Sequence, residues 1–239
     1  ADYTVSFSTL KNGHLLQPAK GCCGQVVVVP IGIDLSLINS QESPLEVTDR
    51  ETALQVLKPR NPESNKGDYG RLFCLCGSEG MAGAASLCVR AALRGGAGLV
   101  NAVLPRSIYQ IVAGQAAEAI YTLLDYSAPG TLTEDSQRSL AEALRKADAM
   151  VLGCGLSTNR ESSALFRQCL MGAEKPIVID ADGINLLARN IDILKTVQAP
   201  LVLTPHPGEM ARLTGRSVAE IQLHRLESAR EFAREYQGV

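Results

Sequence analysis

One of the three histidines in this chain stands between two prolines, in the stretch LVLTPHPGEM at residues 201–210. Pro205 and Pro207 fix the φ angle on both sides of His206, and Pro207 also restricts His206 to an extended backbone. A lone histidine is more often a satisfied core or surface residue than a ligand-binding one. Here an apolar run leads into a rigid turn that holds the imidazole at a set angle, which is typical of a side chain that contacts a ligand.

Three other apolar runs are followed by segments of similar chemical character. GSEGMAGA follows LFCLC, GCGLS follows AMVL, and DADGIN follows PIVI. Because ligands of open parallel sheets bind beyond the carboxyl ends of the strands, we expect these segments and TPHPGE to border one crevice. The glycine spacing of GSEGMAG is G-x-x-G-x-x-G rather than G-x-G-x-x-G, which argues against the dinucleotide-binding loop of a Rossmann domain.

Each of these segments also has a purely structural explanation. A glycine after a strand more often shapes a turn than contacts a ligand, and Asp182 could simply cap the helix that begins near Ile184. A helix that opens at residues 82–84 could instead present free backbone amides to an anion. Lys66, in NPESNKGDYG, could face a phosphate, but a solvated loop lysine is an equally good interpretation.

The composition argues against several classes of partner. The 239 residues carry a formal net charge of −2 and no tryptophan, so nothing favours nucleic acid or an anionic membrane surface. No apolar stretch approaches the length of a membrane span. The seven cysteines lack zinc-like spacing, so no metal site is predicted, and Cys74 and Cys76 are interpreted as small buried hydrophobes. An odd cysteine count without a disulfide framework is typical of a reducing compartment, and we expect a cytoplasmic protein.

The elements that must position these residues follow a regular pattern from about residue 70. Short apolar runs such as LFCLC, AMVL and PIVI alternate with helix-like stretches such as AGAASLCVRAALRG. Strands that are apolar on both faces and alternate with helices predict an α/β fold, with a mostly parallel sheet and helices on both faces. The segment INLLARNIDIL is predicted to form one of these helices.

The two ends of the chain differ from this pattern. Residues 1–34 contain two shorter β-type runs, and the connector that follows is predicted to hold a short helix with a capping box at Thr48 and Glu51. A final helix is predicted from Ser217 to Tyr236. Val239 is then expected to be the first residue of a further strand.

Six motifs, in this order and spacing, resemble the ADP/ATP-dependent NAD(P)H-hydrate dehydratase family, whose members are ribokinase-like α/β enzymes. They are NKGDYG, GSEGMAGAA, LRGGAGLV, GCGLS, DADGIN and LTPHPGE. The opening segment resembles the end of an NAD(P)H-hydrate epimerase domain, which many relatives carry in front of the dehydratase. The resemblance implies three parts: the end of an epimerase domain at 1–38, a connector at 39–57, and at 58–239 a dehydratase domain that lacks its C-terminal portion.

The resemblance also implies a reaction that repairs nicotinamide nucleotides. The family removes water from the S epimer of NADH or NADPH hydrated at C6 of the nicotinamide ring, and couples this to hydrolysis of ADP to AMP and phosphate, or of ATP to ADP. Phosphorylation of the C6 hydroxyl would make a good leaving group, which the ring nitrogen expels. Magnesium is expected to neutralise phosphate charge. The bacterial look of LTPHPGE with a fused epimerase tail favours ADP, and relatives imply a tetramer or larger homo-oligomer.

Site residues follow from the same resemblance. Ala84, Gly155 and His206 match the family's hydrate-binding positions, with His206 an orienting hydrogen-bond partner rather than a base. Asp182 and Asn185 match residues that line the same crevice. Lys66 is retained as a candidate for nucleotide or phosphate binding.

One departure from the family pattern keeps other functions open. The family's K-G-x-x-T segment and G-T-G-D motif do not occur in these 239 residues, so the expected catalytic Asp lies beyond Val239. We therefore expect the chain to be an internal piece of a longer two-domain protein, inactive by itself. The alternatives are a ribokinase-like small-molecule kinase of the hydroxyethylthiazole kinase type, or a non-catalytic nucleotide-binding subunit.

Overall fold

The computed structural model describes two compact units, Ala1–Arg60 and Asn61–Val239. The described residues are 1–34, 36–37, 45–57, 59–128, 131–171, 173–236 and 238. The further strand predicted at Val239 and the first part of the predicted connector, residues 39–44, lie outside this set. The division of the chain at 38 and 57 into an epimerase end, a connector and a dehydratase domain remains a prediction.

The first unit contains a two-stranded parallel sheet and three short helices among its described residues. The strands are β1 (Tyr3–Phe7) and β2 (Gln25–Val29), and the helices are α1 (Asn12–Leu15), α2 (Lys20–Cys23) and α3 (Arg50–Val56). The cap predicted at Thr48 is wrong by one residue. Asp49 caps α3 instead, because its carboxylate accepts hydrogen bonds from both the backbone N–H and the hydroxyl of Thr52.

In the second unit, six of the described strands form one parallel sheet in the order β10-β9-β8-β3-β4-β5. These strands are β3 (Arg71–Leu75), β4 (Leu99–Pro105), β5 (Ile120–Leu124), β8 (Ala149–Leu152), β9 (Ile177–Ile179) and β10 (Leu201–Leu203). A separate two-stranded antiparallel pair, β6 (Tyr126–Ala128) and β7 (Thr131–Leu132), follows β5 in the sequence. Neither β5 nor this pair was anticipated from the apolar runs.

Helices connect the parallel strands. They are α4 (Ala82–Gly95), α5 (Tyr109–Ala113), α6 (Glu134–Lys146), α7 (Arg160–Leu170), α8 (Asp182–Leu187), α9 (Pro207–Thr214), α10 (Val218–Leu223) and α11 (Arg225–Tyr236). Among the described residues no helix is long and apolar enough to cross a lipid bilayer.

Helices cover both faces of the sheet, and successive side chains of β3 are buried alternately against one face and the other. Phe73 and Leu75 belong to one buried apolar cluster, which includes residues of α6 and α7. Cys74 and Cys76 belong to a second cluster on the other face, together with Val89 of α4. Successive side chains of a strand point to opposite faces, so a strand apolar at every position requires helices on both sides. The predicted α/β class and parallel sheet are confirmed.

Two predicted helices are shorter than their apolar patterns suggested. INLLARNIDIL forms α8 only as far as Leu187, and a 3-10 turn follows at Ile191–Thr196. The final helix is divided into α10 and α11 at His224, whose backbone (φ −126°, ψ 48°) is not helical. Its predicted start is confirmed, since Ser217 and Glu220 form a reciprocal capping box.

The strand order creates a switch point between β3 and β8. From β3 the chain continues outward to β4 and β5, then returns past β3 to β8 and continues in the opposite direction to β9 and β10. The helix after β3 and the helix after β8 therefore pack on opposite faces, which leaves a crevice between the two loops at the carboxyl edge. Such a crevice is where open α/β sheets bind ligands.

Candidate functional site

Two loops meet at this switch point, one after β3 and the other after β8. The Gly77 N–H donates to the Cys154 carbonyl oxygen at 2.9 Å, and the Ser78 hydroxyl donates to the Gly155 carbonyl oxygen at the same distance. The Gly153 N–H in turn donates to the Leu75 carbonyl oxygen at 3.0 Å. These bonds hold the GSEG and GCGLS segments side by side.

Two glycines in GCGLS allow a close approach that no other residue would permit. Gly155 has a φ of +65°, and a Cβ atom placed there would lie 2.5 Å from the Cβ of Ala84. Gly153 has a φ of +120°, and its Cβ would lie 2.1 Å from the Asp180 carbonyl oxygen. Both backbones are in the region that glycine adopts readily and other residues do not. The structure therefore brings Ala84 and Gly155, two of the predicted site residues, into direct contact.

Asp182 and Asn185, after β9, are engaged with neighbouring loops. One carboxylate oxygen of Asp182 accepts a hydrogen bond from the Ser157 N–H at 2.8 Å, and the other faces the Asn185 side-chain nitrogen at 3.3 Å. The Asn185 side-chain oxygen accepts from a guanidinium nitrogen of Arg212 at 2.7 Å. Asp182 does not cap its own helix, whose N-cap is Ala181. These side chains link α8 to the β8 loop on one side and to α9 on the other.

Asp180 links the carboxyl end of β10 to the loops that follow β8 and β9. The Thr204 hydroxyl donates to a carboxylate oxygen of Asp180 at 2.8 Å, and the Cys154 thiol lies 3.8 Å from the other. Loops after β3, β8, β9 and β10 thus form one continuous edge. Three strand spacings of about 4.8 Å separate β3 from β10, so the edge extends for roughly 14 Å.

His206 is the N-cap of α9, with Pro207 at the first helical position. Its Nδ1 accepts from the N–H groups of Gly208 and Glu209 at 3.0 and 3.4 Å. The buried Glu209 carboxylate reaches back to the His206 N–H at 2.9 Å, and its other oxygen lies 3.3 Å from Nε2. The two prolines therefore have a structural reason, since they preset the backbone for this capping box.

The cap also fixes what the imidazole can do chemically. An Nδ1 that accepts backbone N–H bonds cannot carry a proton, so the neutral ring holds its hydrogen on Nε2. The side chain of His206 remains 62% exposed. It is thus a hydrogen-bond donor at the rim of the edge, which suits an orienting role better than that of a base.

The structure separates Lys66 from all of these residues. Lys66 opens a 3-10 turn at Lys66–Tyr69, directly before β3 begins, and its backbone packs against Gly98, which precedes β4. It lies at the amino edge of the sheet, the opposite edge from the loops described above. Its exposed side chain is therefore no part of the crevice, and a role of Lys66 in nucleotide or phosphate binding stays a prediction.

A cavity of about 220 Å³ opens at the inner end of the edge. It is lined by the β3 and β8 loops, including Gly77, Leu156 and the polar side chains of Ser78, Glu79 and Asn159. Neither Ala84 nor His206 borders it, so this cavity is not shared by the residues predicted to bind one ligand. Within the described residues, no three His, Cys, Asp or Glu side chains are placed to hold a metal ion.

Strained backbone at the edge was not anticipated from the sequence. Ser157 and Ala181 have φ angles of +69° and +52°, in the left-handed region that non-glycine residues rarely adopt. Such strain costs about 1–3 kcal/mol per residue and persists where the surroundings determine it. Ser157 donates its N–H to Asp182, and Ala181 directly precedes Asp182, so this hydrogen bond constrains both residues. Nothing in the local sequence marks Ala181 as unusual.

Comparison with known proteins was made for the whole chain. The family model of NAD(P)H-hydrate dehydratase matches residues 72–239. A curated relative from Escherichia coli K12, named bifunctional NAD(P)H-hydrate repair enzyme Nnr, is 41% identical over 239 residues, covering 100% of this chain and 43% of the relative. The chain spans less than half of the length of the curated relatives it matches.

Solved structures agree with the fold. The ADP/ATP-dependent NAD(P)H-hydrate dehydratase from Bacillus subtilis, co-crystallised with ATP/Mg²⁺, has a TM-score of 0.64 and 30% identity, covering 79% of this chain and 63% of that one. A ribokinase-like superfamily protein from Enterococcus faecalis V583 has a TM-score of 0.63 at 19% identity, covering 77% of this chain and 64% of that one. The ribokinase-like fold is confirmed, and the chain belongs to the NAD(P)H-hydrate dehydratase family.

Proposed function

We propose that the second unit is the larger part of a domain that dehydrates (6S)-NAD(P)H hydrate, with ADP as the phosphoryl donor and ATP as its alternative. The observation that carries this proposal is the contact of Ala84 with Gly155 at the switch point of the sheet. It supports the hydrate-binding role because it lies where ribokinase-like sheets bind ligands, in a chain of the dehydratase family.

In this proposal the edge of the sheet binds the hydrate along its length. Ala84 and Gly155 present little more than backbone, so the hydrated nicotinamide ring can approach closely. His206 donates a hydrogen bond from Nε2 to a polar group of the nucleotide. Asp182 and Asn185 mainly hold the neighbouring loops in position for the hydrate, because their side chains already form hydrogen bonds with Ser157 and Arg212.

The chemistry follows from the poor leaving ability of hydroxide. Transfer of a phosphoryl group from ADP to the C6 hydroxyl gives AMP and a phosphate ester, with release of the hydroxyl proton. The ring nitrogen lone pair then forms the C=N bond as the C6–O bond breaks and phosphate leaves, and loss of a proton restores the dihydropyridine. Magnesium, when bound with the nucleotide, would neutralise its phosphates, and we assign no protein ligand to it.

The test uses the protein encoded by the complete coding sequence. Purified protein is incubated with (6S)-NADH hydrate, ADP and Mg²⁺, and NADH is followed by its near-ultraviolet absorbance while AMP is measured by chromatography. One AMP is expected for each NADH. The same assay with ATP decides the nucleotide, and size-exclusion chromatography with light scattering tests the predicted tetramer or larger homo-oligomer.

His206→Asn tests the binding role in the same assay. Asn retains a side-chain acceptor for the helix cap but lacks a donor at the position of Nε2, so kcat/KM for the hydrate should fall about tenfold to a hundredfold. His224→Asn is the matched control and should leave kcat/KM unchanged. Phosphorylation of hydroxyethylthiazole without NADH formation would instead establish the kinase. Nucleotide binding without turnover of either compound would establish the binding subunit.

A further inference from the structure

Four cysteine thiols come together behind the Ala84–Gly155 contact. Cys74 lies on β3, Cys76 directly after it, Cys88 on α4, and Cys154 between the two glycines of the β8 loop. All four are free thiols, and Cys88 and Cys154 both pack against the buried cluster that contains Cys74 and Cys76. Cys74 and Cys76 are buried, as expected for small hydrophobes in a strand, but the cluster itself depends on tertiary packing.

Within this cluster, Cys88 and Cys154 come from two different elements, α4 and the β8 loop, which pack against each other. Ala84 is one helical turn before Cys88 and therefore on the same side of α4. Gly155 is the neighbour of Cys154, and a Cβ placed on it would lie 2.5 Å from that of Ala84. The contact of Ala84 with Gly155 thus sets α4 against the β8 loop at the level of both thiols.

Exposure and position in the fold also distinguish this pair from the other two cysteines. Cys74 and Cys76 are 0% exposed, while Cys88 and Cys154 are partly exposed. Cys74 pairs with both neighbouring strands, which fixes its backbone in the centre of the sheet. Cys154 lies in a loop between two glycines with positive φ. A small oxidant can therefore reach Cys88 and Cys154 more readily than Cys74 and Cys76.

The electrostatics assign different parts to the two thiols. Neighbouring thiols that donate hydrogen bonds to Cys88 lower its pKa, which favours the nucleophilic thiolate. The pKa of Cys154 is raised by its hydrogen bond with Cys88 and by burial. We therefore assign the attack on the oxidant to Cys88 and the closing step to Cys154.

We propose that Cys88 and Cys154 form an oxidation site that closes to a disulfide when the protein meets a peroxide. The Cys88 thiolate attacks one peroxide oxygen, the O–O bond breaks, and Cys88 becomes a sulfenic acid as water is released. The Cys154 sulfur then attacks the Cys88 sulfur, the S–O bond breaks, and a second water leaves. In total, two thiols and one hydrogen peroxide give one disulfide and two waters.

The location gives this disulfide a consequence for the crevice. It would join α4 to the β8 loop next to the Ala84–Gly155 contact, and it would shift the Cys154 sulfur, which lies 3.8 Å from the Asp180 carboxylate. Asp180 also accepts the hydrogen bond from Thr204 that links the β9 and β10 ends. Oxidation would therefore alter the edge of the sheet, whatever ligand the edge binds.

The test is a mapping of the oxidised chain. The reduced 239-residue chain is treated with hydrogen peroxide, alkylated and digested with trypsin without reduction. We expect the peptide of residues 72–90, which contains Cys88, to be linked to the peptide of residues 147–160, which contains Cys154, with the loss of two hydrogens. Because residues 72–90 also contain Cys74 and Cys76, fragmentation of the linked pair must place the bond on Cys88.

Variants separate the two roles. Cys154→Ser should abolish the link and leave Cys88 as a sulfenic acid that dimedone traps, and Cys88→Ser should abolish both the link and the dimedone adduct. Cys22→Ser, at an exposed cysteine in the first unit, is the control and should leave the link intact. The proposal is overturned if the bond maps to Cys74 or Cys76, if the two peptides stay unlinked, or if dimedone labels Cys154 rather than Cys88.

Discussion

The two ends of the sheet edge are built on different principles. At the inner end, between β3 and β8, the loops touch through backbone, and Gly153 and Gly155 occupy φ angles and spaces that exclude a side chain. At the outer end, after β10, His206 has an ordinary φ of −72° and is held by hydrogen bonds from its own helix. The inner end therefore requires glycine, because there is no space for a side chain. The outer end requires a side-chain hydrogen-bond acceptor at the helix cap, which residues other than His can supply.

This difference determines how substitutions at the two ends should be interpreted. At the inner end the packing of the fold and the shape of the crevice are set by the same atoms, so a change there alters stability and binding together. At the outer end the cap uses Nδ1 of His206, while Nε2 of the same largely exposed side chain lies 3.3 Å from a Glu209 carboxylate oxygen. The cap and any contact with a ligand can therefore be changed one at a time.

The largest effect is expected from Gly153→Ala. Its Cβ would lie 2.1 Å from the Asp180 carbonyl oxygen and 2.4 Å from the Gly183 nitrogen, both backbone atoms, at a φ of +120°. Because neither the strain nor the clash can be relieved by a rotamer change, we expect a loss of about 3–5 kcal/mol in the free energy of unfolding, measured by urea denaturation.

Gly83→Ala is the matched control for this substitution. Gly83 is in α4, and a Cβ there would have no atom within 4 Å. Alanine should leave the stability unchanged or raise it by up to about 1 kcal/mol, because it reduces the backbone freedom of the unfolded chain. If Gly153→Ala is as harmless as Gly83→Ala, the inner end is not limited by backbone contacts and the comparison above fails.

A smaller effect is expected from Gly155→Ala, because the nearest atom belongs to the side chain of Ala84 and not to the backbone. We expect a loss of about 2–3 kcal/mol, from the left-handed φ of +65° and from the 2.5 Å contact between the two Cβ atoms. Ala84→Gly by itself should cost about 1 kcal/mol, as for a glycine in a helix.

The double variant sharpens this prediction. With Ala84→Gly in place, Gly155→Ala retains the backbone strain and the 3.2 Å contact with the Met81 Cβ but loses the clash with Ala84, so the two losses should fall short of additivity by about 1 kcal/mol or more. Urea denaturation of the four proteins gives this coupling energy. Simple additivity would mean that Ala84 and Gly155 do not touch, and it would remove the observation on which the hydrate-binding proposal rests.

The sequence predicted the row of loops better than it predicted the bonds that join them. Apolar runs followed by Gly, Asp or His identified the strand ends, and the parallel topology then required them to lie along one edge. The bond between Asp182 and Ser157, by contrast, spans 25 residues and depends on how far each loop extends. Asp182 was weighed as a cap for its own helix, because local spacing favours the nearer partner.

His206 illustrates a second limit. The two prolines correctly indicated a rigidly held histidine, but rigidity has more than one cause. The spacing of His206 and Glu209 matches that of a capping box, and the signal was missed because the capping rule is usually stated for Ser, Thr, Asp and Asn. The cysteine cluster was missed for a different reason, since the rotation of α4 that brings Cys88 towards Cys154 is set by packing between elements distant in sequence.

The smallest effect on stability is expected at His206, and there two substitutions divide the two roles of one side chain. His206→Ala removes the acceptor for the Gly208 N–H and should cost about 1 kcal/mol, while His206→Asn replaces it with a favoured N-cap and should change stability by less than about 0.5 kcal/mol. Both should reduce turnover of the hydrate in the complete protein, because both lack a donor at the position of Nε2. If activity instead follows stability, so that Asn restores it and Ala does not, then His206 serves the helix alone, and the outer end of the edge holds no ligand.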